Sequence, residues 1–170
     1  VFNGQGYKLP DELEERVEEK ILSGAPMALK TRGELGRRHH GMKQLKRDYI
    51  DFAASTIESD LAGLRILVDC ANGAASATAP ELFGRFKAHT VFLHRTPDGV
   101  NINDHCGSTH LEDLSARVVK EGYDIGVAFD GDADRCLLVD ENGGVIDGDK
   151  VMVVCALDLK RRGLLRGNAI

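Results

Sequence analysis

Six consecutive residues, Asp130, Gly131, Asp132, Ala133, Asp134 and Arg135, have the make-up of a cation-binding loop. Three carboxylates at alternate positions repel one another unless a cation lies between them. The small residues Gly131 and Ala133 leave the backbone free to fold around that cation. Hard oxygen donors on a compact loop suit Mg²⁺, which commonly keeps positions open for water or a phosphate oxygen. Arg135 adds a planar guanidinium fork suited to phosphate or carboxylate. Three other readings compete. A polar hairpin turn that binds nothing needs one or two Asp rather than three. An EF-hand loop would use Glu141 at its twelfth position, counting Asp130 as first, but it has Arg135 where Gly is required and strand-like flanks where helices are required. An aspartyl phosphatase would use Asp130 as nucleophile and Asp132 as acid/base at the end of a buried strand, which leaves Asp134 and Arg135 less well explained.

The elements around this loop follow from its flanks. DIGVAF, residues 124–129, and CLLVD, residues 136–140, are short apolar strand patterns joined by so few residues that they must run antiparallel. Upstream, LRILVDC (64–70) and HTVFLH (89–94) read as further strands, separated by a helix in TAPELFGRF with Pro80 in its first turn. Thr109 and Glu112 form a capping box for a helix through LEDLSARVVKEG that ends at Gly122. ENGG makes a tight turn into VID, and Asp149 can cap a last helix, KVMVVCALDLKRRG. Strands alternating with helices imply βαβ units, hence an α/β fold with a mixed, mainly parallel sheet flanked by helices. Ligands gather at the carboxyl ends of parallel strands. Three polar loops are expected at that edge: ANGA (71–74), the long loop RTPDGVNINDHCGSTH (95–110) and the Asp loop.

The remaining sequence sets bounds. A net charge of −5 over 170 residues, with no basic stripe interleaved with aromatics, argues against nucleic acid as a partner. The longest apolar runs, such as VMVVCAL, are too short to span a bilayer, so no membrane partner is expected. Cys70, Cys106, Cys136 and Cys155 contain no C-x-x-C pair, which suggests neither a zinc site nor a disulfide framework. Three of them lie in apolar, strand-like or helical surroundings and are expected to be buried thiols in a reducing compartment, with cytoplasmic placement. At the other end, Pro10 is a good first helical residue, Asp11, Glu12, Glu14 and Glu15 complement the helix N-terminus, and Leu13, Val17 and Ile21 share a face. Residues 23–42 lose periodicity and read as a linker, with the adjacent His39 and His40 solvated rather than metal-bound. A helix is expected from Gln44 to Leu61, with Leu45, Tyr49, Phe52, Ala53 and Ile57 on one side. The chain begins at Val1 without Met and ends where an apolar element starts, as expected of a piece of a longer polypeptide.

Together these motifs resemble the α-D-phosphohexomutase superfamily, and most closely its phosphoglucosamine mutase branch. Asp130 to Arg135 match the superfamily's D-G-D-[AG]-D-R metal loop in full. LRILVDCANGAASATAPELF looks like the start of the second domain, and FNGQGYKL resembles the close of the first. In TPDGVNINDHCGSTH, N-I-N…C-G-S-T-H is similar to the glucosamine branch, where phosphomannomutases and phosphoglucomutases tend to have a Pro-Asn-Pro ending. The resemblance implies residues 1–22 as the end of domain 1, 23–60 as linker and connecting helix, and 61–170 as domain 2. It implies an enzyme that interconverts glucosamine 6-phosphate and glucosamine 1-phosphate through a phosphoserine and a sugar 1,6-bisphosphate, feeding UDP-N-acetylglucosamine and peptidoglycan precursors. One Mg²⁺ would be held by Asp130, Asp132 and Asp134, with Arg135 acting on phosphoryl charge. The phosphoserine loop, the sugar-selecting loop of domain 3 and the phosphate-binding loop of domain 4 are not among these residues, so the piece alone is expected to be inactive and its partners are domains 1, 3 and 4 of the same polypeptide. Ser108, at a helix start, reads as a cap rather than as the missing nucleophile. The alternatives are a phosphomannomutase or phosphoglucomutase of the same superfamily, or the aspartyl phosphatase.

Overall fold

The acidic run after Pro10 forms a helix, α1 (Asp11–Leu22), whose first turn carries Asp11, Glu12 and Glu14 and whose last turn carries Lys20, complementing the helix dipole at both ends. In this computed structural model, which describes residues 2–24, 26, 29–37 and 41–169, Pro10 is the residue before the helix, with extended ψ, rather than its first. Lys8 reaches back to Glu14 at 2.9 Å and Asp11 at 3.5 Å. The face of Leu13, Val17 and Ile21 exists but is exposed within this unit. His39 and His40, read as part of a solvated linker, lie outside the described residues. The chain divides into two compact units, Val1–His40 and Gly41–Ile170.

The second unit opens with α2 (Met42–Ser55), which starts and stops earlier than the apolar spacing predicts. Ser55 Oγ donates to the Phe52 carbonyl and Thr56 Oγ1 to that of Ala53; these local bonds compete with helix continuation and leave Ile57 outside the helix. Ile50 is its buried residue, and the ion pairs Lys46–Glu81 and Arg85–Asp51 join it to the next helix and its end.

The sheet is built on β1 (Arg65–Asp69), flanked by β2 (His89–Leu93) and β3 (Ile125–Phe129), both parallel to it. β4 (Cys136–Asp140) pairs antiparallel with β3, and β5 (Val145–Ile146) with β4, giving the order β2-β1-β3-β4-β5. The expected mixed sheet is therefore present. Successive residues of a strand face opposite sides. Ile66 and Val68 pack with Ala75, Ala79 and Val127 on one side, whereas Leu67 packs with Leu114, Val118, Ala128 and Val139 on the other. Each fully buried Leu or Val among them, such as Leu67, Val68, Leu114, Val118 and Val139, contributes about 1.5–3 kcal/mol.

Two helices cover these faces. α3 (Ala75–Phe83) begins three residues before the Pro-based expectation, with Pro80 inside it rather than in its first turn. The turn after β1 closes so tightly, Gly73 N–H donating to the Cys70 carbonyl, that the chain enters the helix at once. α4 (Glu112–Glu121) ends on Gly122 in the left-handed conformation, as expected. Its capping box does not form. Thr109 belongs to a 3₁₀ turn, Gly107–Thr109, with its hydroxyl 3.1 Å from His110 Nδ1, and Leu111 precedes the helix without a side-chain cap. The last helix, α5 (Gly148–Arg161), is capped by Asp147, which accepts from Lys150 N–H at 3.0 Å, and not by Asp149, which lies in the first turn. The ENGG turn closes on Asp140, which accepts from the N–H groups of Asn142 and Gly144. Among the described residues no helix is long and apolar enough to cross a membrane.

Candidate metal centre at the sheet edge

Because β1, β2 and β3 are parallel, the loops that follow them emerge at one edge, and backbone bonds lock them together. Asn72 N–H donates to the His94 carbonyl, Asn103 N–H to that of Ala71, and Ala74 N–H to that of Gly131 at 2.8 Å. The Asn72 side chain accepts from Thr96 N–H at 3.1 Å and donates to the Asn101 carbonyl at 3.4 Å. Asn101 in turn braces its own loop, accepting from Asp98 N–H and donating to the Thr96 carbonyl. Asn101 and Asn103, both in the long polar loop, hold the edge together.

The Asp loop connects β3 to β4. Asp130 is 3 % exposed and its oxygens are held by Arg135: the backbone N–H donates to Oδ1 at 3.2 Å and Nε to Oδ2 at 2.8 Å. Burial opposes ionisation of Asp130, but these bonds and the guanidinium charge outweigh it and hold its carboxyl below the ordinary range. Asp132 and Asp134 are exposed, and one oxygen from each of the three carboxylates lies within 4.8 Å of the others. The neighbouring Asp132 charge, with burial and Asp130, pushes the Asp134 carboxyl above its ordinary value. Three like charges so close, balanced by one Arg, form a donor set that fits a hard divalent cation.

The two small residues serve different needs. Ala133 adopts a left-handed φ of 62°, which turns the chain, whereas Gly131 supplies space: a Cβ there would come within 2.7 Å of Asn103 Nδ2 and 2.8 Å of Ile102 Cδ1. The EF-hand reading is overturned, since strands flank the loop and Glu141 follows the far end of β4, where Asn142 donates to it. Arg135 keeps a side chain 77 % exposed while its Nε is engaged by Asp130 and stands 3.5 Å from Asp134. It lines a depression of about 490 Å³ with Ser108, Thr109, Cys136, Leu137 and Gly148. Ser108 lies inside the 3₁₀ turn and caps no helix, which corrects the reading of it as a cap.

The cysteines depart from expectation. Cys136 and Cys155 are exposed despite their apolar neighbours, while Cys106, in the polar loop, is buried with Cys70. Burial, then the Asp69 charge, pushes the Cys70 thiol up to about 12. A residue the sequence did not mark anchors the whole edge. Asp69, 2 % exposed at the end of β1, accepts from Ala71 N–H at 2.8 Å and from Gly107 N–H at 2.9 Å, and has His94 Nδ1 3.0 Å away. A buried acid at the end of an apolar strand was the available signal.

This arrangement can be set beside known proteins. The phosphoglucosamine mutase of Desulforamulus reducens is 52 % identical over 168 residues, 98 % of this chain and 38 % of that protein. That of Clostridium novyi is 50 % identical over 172 residues, 99 % of this chain and again 38 % of its own length. The chain thus spans well under half the length of these relatives. A crystal structure of a phosphoglucomutase/phosphomannomutase family protein from Burkholderia thailandensis shares the fold, with a TM-score of 0.67 at 24 % identity, over 91 % of this chain and 33 % of that one. The sequence pattern of phosphoglucomutase/phosphomannomutase, alpha/beta/alpha domain II, matches residues 47–144, from within α2 through the Asp loop to the β4–β5 turn. More than half of the chain is covered by that match, and the chain belongs to the phosphoglucomutase/phosphomannomutase family.

Proposed function

We propose that these residues form the metal-loop portion of a phosphoglucosamine mutase, which interconverts glucosamine 6-phosphate and glucosamine 1-phosphate through a phosphoserine and a sugar 1,6-bisphosphate. The observation that carries this reading is the Asp130–Asp132–Asp134 cluster with Arg135 beside it at the sheet edge. The names of relatives near 50 % identity support the glucosamine substrate over glucose or mannose. Asp130, fixed by Arg135, would set the position of the loop, with Asp132 and Asp134 turned to solvent to complete the ligand set for one Mg²⁺. Bound there, Mg²⁺ would neutralise charge on a phosphoryl oxygen. Arg135 would hold Asp130 through Nε and use the rest of its guanidinium on the same phosphoryl group, whose charge builds as transfer proceeds.

On this reading residues 1–22 close the first domain, 23–60 link and connect, and 61–170 make the second, with domains 1, 3 and 4 as the intramolecular partners and the cytoplasm as location. The serine that carries the phosphoryl group would come from the first domain. The test is kinetic. The intact polypeptide should turn over glucosamine 6-phosphate, given Mg²⁺ and a sugar bisphosphate, with a higher kcat/KM than glucose 6-phosphate, and the 170-residue chain alone should not turn over either. A tenfold preference for glucose 6-phosphate, about 1.4 kcal/mol of transition-state binding, would overturn the substrate assignment. Hydrolysis of a phosphate ester by the short chain alone would favour Asp130 as a nucleophile.

A further inference from the structure

Asp69 ends β1, while His94 and Cys106 lie near the two ends of the long connection from β2 to α4, and the three bring one carboxylate oxygen, one imidazole nitrogen and one sulfur within 4.8 Å of one another. We propose that this cluster is a second metal site, for a thiophilic divalent cation of the Zn²⁺ class, distinct from the Asp loop and independent of the reading above. The donor set is the first ground: mixed O, N and S ligands are what Zn²⁺ takes and what Mg²⁺ refuses. A tetrahedron with ordinary Zn²⁺ bond lengths has edges of roughly 3.3–3.8 Å, so the Asp69–His94 pair, at 3.0 Å, must open slightly and donors within 4.8 Å need shift by no more than about 1 Å.

The second ground is an orphan atom. His94 Nδ1 is shielded from solvent and, although 3.0 Å from Asp69 Oδ2, has no hydrogen bond of acceptable geometry. A cation lying off the line between the two atoms can serve both, where a ring N–H not aligned with that line cannot. Each Asp69 oxygen accepts one backbone N–H and keeps lone-pair capacity for a metal. Cys106 Sγ receives the Asn72 amide at 4.0 Å, a contact weak enough to give way. His94 is the donor through which an ion would enter, its side chain being 33 % exposed while Asp69 is buried.

Burial, then the charges of Asp69 and Asp104, raises the Cys106 thiol, so a metal would meet it as S–H. Binding would form the sulfur–metal bond as the S–H bond breaks, with its proton released to buffer. The bound ion would tie the ends of β1 and β2 to the loop before α4, stiffening the edge that carries the Asp loop.

Co²⁺ is the probe, titrated into the 170-residue chain with Mg²⁺ in excess. A near-ultraviolet thiolate-to-cobalt charge-transfer band should appear, be bleached by one equivalent of Zn²⁺, and remain in Asp132→Asn. Cys106→Ala should abolish it. His94→Asn, which keeps a side chain tolerant of the left-handed backbone at position 94, should weaken Co²⁺ binding by about tenfold or more. Absence of the band, or a band that survives His94→Asn and vanishes in the Cys136→Ser/Cys155→Ser double variant, would overturn the proposal.

Discussion

Asp69 ends β1 and Asp130 directly follows the neighbouring parallel strand β3, and each is almost wholly buried, at 2 % and 3 % exposure, yet they are satisfied in opposite ways. Asp130 is held by Arg135, five residues away, through one backbone and one side-chain bond. Asp69 accepts from Gly107, 38 residues away, and lies against His94 from the loop after β2. The first cluster is a local device with exposed, mutually repelling carboxylates. The second is a buried junction on which the loops after β1 and β2 depend. A buried carboxylate therefore need not mark the reactive site: at this edge the acids with the stronger structural role are the less exposed ones, and the acids open to a ligand are those that strain against one another.

That contrast can be broken by mutation. Asp69→Ala removes the acceptor for two N–H groups in the interior, each costing about 1–3 kcal/mol when unsatisfied, so a loss of about 4 kcal/mol is expected in urea unfolding. A loss under about 1 kcal/mol would show that the loops do not depend on it. Asp132→Asn, at an exposed position, should change stability by no more than about 0.5 kcal/mol while removing the stabilisation that Mg²⁺ gives the parent chain in a thermal-shift titration. Equal Mg²⁺ responses from the two proteins would remove Asp132 from the ligand set.

The finest probe is thiol chemistry, because the four cysteines sample both kinds of surroundings. With its thiol pushed up to about 12, Cys70 stays protonated through pH 9, and its alkylation should remain slow as pH rises from 7 to 9. Exposed Cys155 should be modified first, as read by peptide mass spectrometry. Rapid modification of Cys70 or Cys106 in the native chain would mean that the sheet edge opens readily.

The Asp loop, the strands and the antiparallel turn back at β4 were legible in the sequence because each is written in contiguous residues. Alternating acids and small residues define a loop, and runs such as ILVD define buried strands whatever lies beyond them. Helix starts were less legible. The Thr109–Glu112 box has the right spacing, but the Asp69–Gly107 bond draws residues 107–109 into a 3₁₀ turn and moves the helix start past the Thr. At α5 two acids two residues apart could each cap, and the extended backbone of Asp147 selects it over Asp149. Apolar neighbours likewise failed to predict that Cys136 and Cys155 would be exposed.

The sequence by itself determined that three carboxylates and a guanidinium share one short loop after an apolar strand, since their proximity is covalent. Only the tertiary structure decided that Asp69, His94 and Cys106 meet, since residues so far apart in the chain become neighbours through the parallel register of β1, β2 and β3. It also decided that Gly131 is needed for space against Ile102 and Asn103 rather than for its backbone freedom, because that crowding comes from a loop that local sequence cannot see.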